Sequence, residues 1–217
     1  MTIPPWIKGW LDEERIGTIR QAVAAAEKKT RGEIRPMIVR ASTQTGHMPL
    51  LVTLILAVAG LLILDGLNHT LAGGTPAWSP LAILALAWLA GRLLAGLGPV
   101  QRLLMHPRLR AHQVGMRAEL EFFEAGLDKT EGDTGILLFV SLAEHQAVVL
   151  ADKGIAGRLP PDTWDGVVQL LLQGIRRGDM AAGFISAIDE CGRILAEHFP
   201  IAPGDVNELP DTLIIKE

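Results

Sequence analysis

The chain has 217 residues, a formal net charge of -4, and 49% hydrophobic against 20% charged residues. Mild acidity excludes the basic footprint that nucleic-acid binding needs, so no nucleic-acid partner is expected. The single cysteine, Cys191, excludes an intrachain disulfide and a cysteine metal cluster. Residues 1–30 carry charges throughout and lack the apolar stretch of a signal peptide, so none is expected.

In chain order, Leu11–Lys29 predicts an amphipathic helix, with Ile16, Ile19, Val23 and Ala26 at helical spacing and Gly32 as a stop signal. Glu33–Ala41 predicts a strand. Pro36 inside it has no N–H for a ladder, which places the strand at an edge or a bulge. The apolar residues then crowd together. Pro49–Leu64 carries no charge, Asp65–Pro76 reads as a polar turn, and Ala77–Leu97 is a second apolar run interrupted by Arg92. Lacking a polar face, the two runs predict a transmembrane helical hairpin over residues 49–98, with Arg92 snorkelling and Trp78 at the interface. The connecting loop has no Lys or Arg, whereas Lys28, Lys29, Arg31, Arg35 and Arg40 precede the hairpin and Arg102, Arg108, Arg110 and Arg117 follow it. The positive-inside rule then puts both ends in the cytoplasm of a multi-pass inner-membrane protein. The segment 99–111 reads as a basic stretch against anionic headgroups, and Arg102, Arg108, Arg110 and Arg117 as its contacts with membrane lipid.

Beyond the hairpin, Gln113–Gly126 predicts a helix with Met116, Leu120 and Phe123 on one face. Thr134–Leu142 is apolar without alternation and predicts a central strand covered on both faces; Gln146–Ala151 predicts a neighbour of the same kind. Asp162 or Thr163 can cap a helix carrying Trp164, Val167, Val168, Leu171, Leu172 and Ile175, and Asp179 another with Phe184, Ile188, Cys191 and Leu195 inward. The tail from Pro200 reads as turns. A lone strand at Glu33–Ala41 needs partners, and these lie at Thr134–Ala151. One α/β domain, residues 1–46 and 112–217, is therefore expected to be split by the membrane insertion.

The order helix, "TRGEI" strand, helix, "TGILLFVSL" strand, "AVVLADKGI" strand and two helices through "RGDMAAGFISAIDECGRILAEHFP" resembles the TPM domain family, named for a thylakoid-lumen protein of photosystem repair. The closing "NELPD" resembles bacterial membrane members of that family, and the inserted hairpin resembles a membrane-embedded subgroup. The resemblance implies an α/β/α sandwich around a mixed sheet. It also implies two kinds of role known among relatives: assembly or repair of membrane proteins, and acid phosphatase activity with divalent metal.

No P-loop, H-E-x-x-H, G-x-S-x-G or dinucleotide fingerprint is present. The acidic residues at strand ends, Glu33, Asp133 and Asp152, are the candidate metal ligands, because hard cations such as Ca²⁺ or Mg²⁺ take carboxylate oxygens. Asp in "EGDTG" and "DKG" is equally what turns favour. Two functions follow as expectations. The first is an interaction or assembly factor bound to membrane lipid and to another membrane protein. The second is a divalent-metal-dependent phosphatase.

Overall fold

The computed structural model describes residues 3–42, 48–70, 74–97, 100, 107–202 and 204–217. The chain divides into two compact units, Met1–Ser42 with Ala111–Glu217, and Thr43–Arg110.

The first unit is built on a four-stranded mixed sheet of order β3-β2-β1-β4. β1 (Glu33–Val39) runs parallel to β2 (Gly135–Ser141) with Glu33 opposite Gly135, and parallel to β4 (Ile214–Lys216) with Met37 opposite Ile214. β3 (Gln146–Ala151) is antiparallel to β2. All seven residues of β2 are buried, as an apolar run without alternation requires. β3 is an edge strand of half-buried residues and is not covered on both faces in the way β2 is.

β1 corrects the expectation drawn from Pro36, since it lies inside the sheet. The N–H groups of Ile34 and Arg40 face the β4 side, reaching the Glu27 carboxylate and the Lys216 carbonyl. Pro36 shares their parity, and β4 pairs only from Met37 onward. The missing donor therefore falls where no strand needs it. The tail, expected to be turns, ends in β4, and "TLII" has the β-branched character of a strand.

One face of the sheet carries Ile34, Ile38, Ile136, Leu138 and Val140 and is covered by α1 (Glu13–Glu27), α6 (Asp165–Arg177) and α7 (Met180–His198). Asp12 and Asp179 cap α1 and α7 through their side chains, accepting from Arg15 N and Ala182 N. α6 begins later than the sequence suggests, after a 3₁₀ turn over Pro161–Trp164. Gly174 and Gly183 let α6 and α7 approach backbone to backbone: a Cβ on Gly183 would stand 2.7 Å from Gly174 Cα. The other face carries Met37, Val39, Leu137 and Phe139 and is covered by α4 (Pro107–Glu124) and the 3₁₀ turn Leu127–Lys129. A one-turn helix, α5 (Lys153–Ala156), follows β3.

The second unit holds α2 (Met48–Thr70) and α3 (Ser79–Leu94). α2 continues past Asp65, so the expected polar turn is partly helix. Its apolar stretch Pro49–Thr70 has 22 residues, about 33 Å at ~1.5 Å per residue, long and apolar enough to cross a membrane. α3, with 16 residues, is shorter. Gly60 faces Ile83 and Gly91 faces Thr53, so absent side chains let the two helices touch. Only 17% of the most apolar window of α2 is buried, and Leu50, Leu54, Leu62, Ile63, Leu81, Leu86 and Leu93 point outward.

Candidate functional site

Glu33, Asp133 and Asp152 do lie at one end of the sheet. Glu33 opens β1 beside Gly135, Asp133 precedes β2, and Asp152 N donates to Gly135 O at 2.8 Å. Their side chains nevertheless serve three separate purposes. Glu33 is buried and accepts from the backbone N–H groups of Glu208 and Leu209 at 3.1 and 3.3 Å. Asp133 sits in the left-handed region, φ 54°, and pairs with Lys153 Nζ at 3.1 Å. Asp152 caps α5, its Oδ1 accepting from Lys153 N at 2.7 Å. Between Glu33 and Asp152 stands Gly135, where the Leu127 carbonyl takes the place of a side chain. Among the described residues no three His, Cys, Asp or Glu side chains are arranged to hold a metal ion. These three carboxylates do not fit a shared divalent cation, and turn chemistry accounts for two of them.

The acids that do gather are different ones. Glu27, Glu33, Asp205 and Asp211 line a cavity of about 280 Å³ with Ala24, Lys28, Thr30, Ile201 and Asn207. Burial drives the Glu27 carboxyl up to about 8, against the pull of a hydrogen bond from Ile34 N; the neighbouring Glu33 and Asp211 raise it further. Burial also raises Glu33. Asn207 donates to Glu27 Oε2 and to Asp211, and Arg35 to the Pro210 carbonyl, so this cluster fastens the C-terminal segment to β1. Sequence reading missed it because Glu27 and Asp211 lie 184 positions apart and meet only through β1 and β4 pairing.

A second polar cluster ties the tail to α4. Glu121 is buried, with Arg117 at 2.8 Å and Lys216 at 2.5 Å, and Lys216 reaches Glu124 at 2.7 Å. Those hydrogen bonds raise the Lys216 ammonium above its ordinary value. Arg117, expected at the membrane surface, is thus engaged inside the α/β unit. Arg108 is exposed and Arg110 half-buried near the start of α4, while Arg102 lies outside the described residues. At the opposite end of the sheet, buried Ser141 donates to Glu144, and Ser42 Oγ to Ser141 Oγ at 2.8 Å.

The outer face of α4 departs most from expectation. The helix buries Val114, Ala118, Glu121 and Phe122, and leaves Met116, Leu120 and Phe123 exposed at 57%, 53% and 61%. Beside this row, Glu119, Phe122, Phe123, Leu150, Ala151 and Asp152 line an open cavity of about 220 Å³. Asp152 is 92% buried, and its Oδ2 has no hydrogen-bond partner among the described residues.

A mixed sheet packed between helical layers, with an apolar helical insertion, defines the class: a split α/β/α unit. Residues 102–194, from before α4 into α7, match the family model of the TPM domain. Its fold is similar to that of the BA42 protein from the psychrophilic bacterium Bizionia argentinensis, solved by NMR, with TM-score 0.60, 21% identity, and coverage of 96% of this chain and 97% of that one. A search of curated proteins gives no match.

Proposed function

We propose that this protein is a membrane-anchored interaction domain that holds its TPM unit at the inner-membrane surface to assist assembly or repair of another membrane protein. The observation that carries this reading is the surface of α2 and α3. A buried core helix of a soluble protein would hide its leucines, whereas these helices turn them outward. Leucine-rich exteriors are unfavourable in water and suit lipid. The insertion begins and ends within the α/β unit's own chain, so that unit is tethered on both sides. With basic flanks and a loop free of Lys and Arg, it faces the cytoplasm.

The phosphatase reading asks for oxygen ligands that converge on a cation. Glu33, Asp133 and Asp152 are instead committed to the tail, to Lys153 and to a cap. The interaction reading therefore stands first.

Cys191 is buried, and burial drives its thiol far above the ordinary range, so it is inert to labelling. Single exposed cysteines at His69 and Glu14 then report topology cleanly. In intact cells an impermeant maleimide should label His69→Cys, and Glu14→Cys only after lysis. Carbonate extraction should leave the chain in the membrane pellet. Release by carbonate, or the reverse labelling pattern, would remove the anchor from the proposal. Native-membrane capture that enriches no membrane protein would remove the interaction.

A further inference from the structure

We infer that the cavity between α4 and β3 receives a basic side chain, Lys or Arg, from an amphipathic helix of the partner, whose apolar residues lie along Met116, Leu120 and Phe123. The inference rests on the interaction reading above and names the chemistry of that partner.

The cavity has two kinds of wall. Phe122, Phe123, Leu150 and Ala151 are apolar; Glu119 and Asp152 supply carboxylates. Lys and Arg match both, with an aliphatic stem and a cationic head. The head would also meet the rings of Phe122 and Phe123, which stand edge-to-face at 5.8 Å. Asp152 Oδ2 is the second, independent observation. Its sister oxygen is engaged as a cap, while Oδ2 is buried and accepts no hydrogen bond among the described residues. An acceptor in that position is unfavourable until a donor reaches it.

Other occupants fit less well. A hard divalent cation needs six or more oxygens, and here Phe and Leu form much of the wall. A lipid amine brings a phosphate with it, which Glu119 and Asp152 would repel. The exposed row falls at positions 116, 120 and 123, the i, i+4, i+7 spacing by which one helix seats another.

The test uses the full chain in nanodiscs and two peptides. Each is an amphipathic helix of Leu, Ala and Gln about 15 residues long. One carries a single Lys at the border of its apolar face, and its twin carries norleucine there. The Lys peptide should bind about tenfold more tightly than its twin. Asp152→Asn keeps an oxygen for the cap. It should bring the two peptides within about twofold of each other, with thermal unfolding unchanged, and Glu119→Gln should fall between. Phe123→Ala should weaken both peptides alike. Equal binding of the twins to wild type overturns the inference, as does discrimination that survives Asp152→Asn. So does displacement of the Lys peptide by millimolar Ca²⁺ that Asp152→Asn abolishes, since that would mark a metal site. So does binding of the chain's α4 face to anionic vesicles with no peptide discrimination. Partner capture that persists undiminished in Asp152→Asn would overturn the cavity and leave the interaction reading standing.

Discussion

The two faces of the sheet are covered unequally. On one, three helices and the 3₁₀ turn Pro161–Trp164 seal Ile34, Ile38, Ile136, Leu138 and Val140 with Trp164, Phe184, Ile188 and Leu195. On the other, a single long helix and a 3₁₀ turn cover Met37, Val39, Leu137 and Phe139, and that helix presents a second apolar row outward. The thick face has what a stable core needs. The thin face leaves Met116, Leu120 and Phe123 more than half exposed among the described residues, and exposed apolar rows of that kind mark interaction surfaces. Stability and recognition are thus divided between the two sides of one sheet.

The division predicts a graded response to losing one aromatic ring. Phe184 is fully buried in the thick face, so Phe184→Ala should cost about 3–5 kcal/mol, the usual range for a large core truncation. Urea unfolding of the detergent-purified chain, followed by tryptophan fluorescence, checks it. A cost under about 1 kcal/mol would mean that the thick face does not hold the fold.

The acidic cluster at the β1–tail junction gives the next effect, and its sign is fixed by Glu27. The folded value of about 8 lies above the ordinary 4.5, so the native state holds a proton that the unfolded chain has released between those limits. The contribution is full below about pH 4.5, declines as pH rises, and is gone once pH passes about 8. Within that window the slope from this group reaches about 1.4 kcal/mol per pH unit. Glu27→Gln keeps an acceptor for Ile34 N and removes the titration, so stability of that variant should lose this slope. A wild-type profile that rises from pH 5 to 8 with the same shape in the variant would show that Glu27 does not set it.

How legible these features were depends on sequence distance. Helices whose inward residues sit three and four apart could be read directly: Ile19, Val23 and Ala26 on α1, or Phe184, Ile188, Cys191 and Leu195 on α7, are all buried. β2 was legible from its unbroken apolar run. α4 was not, because it has two apolar faces. Met116, Leu120 and Phe123 form the stronger-looking stripe, yet the buried one includes Glu121, which periodicity cannot assign to a core. What satisfies the buried Glu121 is Arg117 together with Lys216, the latter 95 positions away at the end of a strand three residues long. The candidate site failed to assemble for a related reason. Shared position at a sheet end brought Glu33, Asp133 and Asp152 close in topology, but side-chain direction and local capping sent each elsewhere.

The helix caps test whether the thick face is also held at its edges. Asp179 accepts from Ala182 N at the start of α7, and Asp179→Ala should cost about 1 kcal/mol. Asp12→Ala on α1 should cost a similar amount, and the two should add, since they cap different helices. Thermal unfolding of the single and double variants would show this. A large departure from additivity would mean that the two caps are energetically coupled through the packing of α1 on α7.

The smallest expected effect is the most informative about the thin face. Phe123 is a ring of the same size as Phe184, but 61% of it is exposed. Phe123→Ala should therefore change stability by less than about 0.5 kcal/mol, as ordinary surface substitutions do. If the ring belongs to a recognition surface, its removal should leave unfolding untouched and reduce partner recovery from native membranes. A loss of several kcal/mol would instead make Phe123 part of a core that another segment of the chain completes, and the asymmetry of the two faces would disappear with it. The paired measurement on Phe184→Ala and Phe123→Ala thus separates a ring that holds the fold from one that meets a partner.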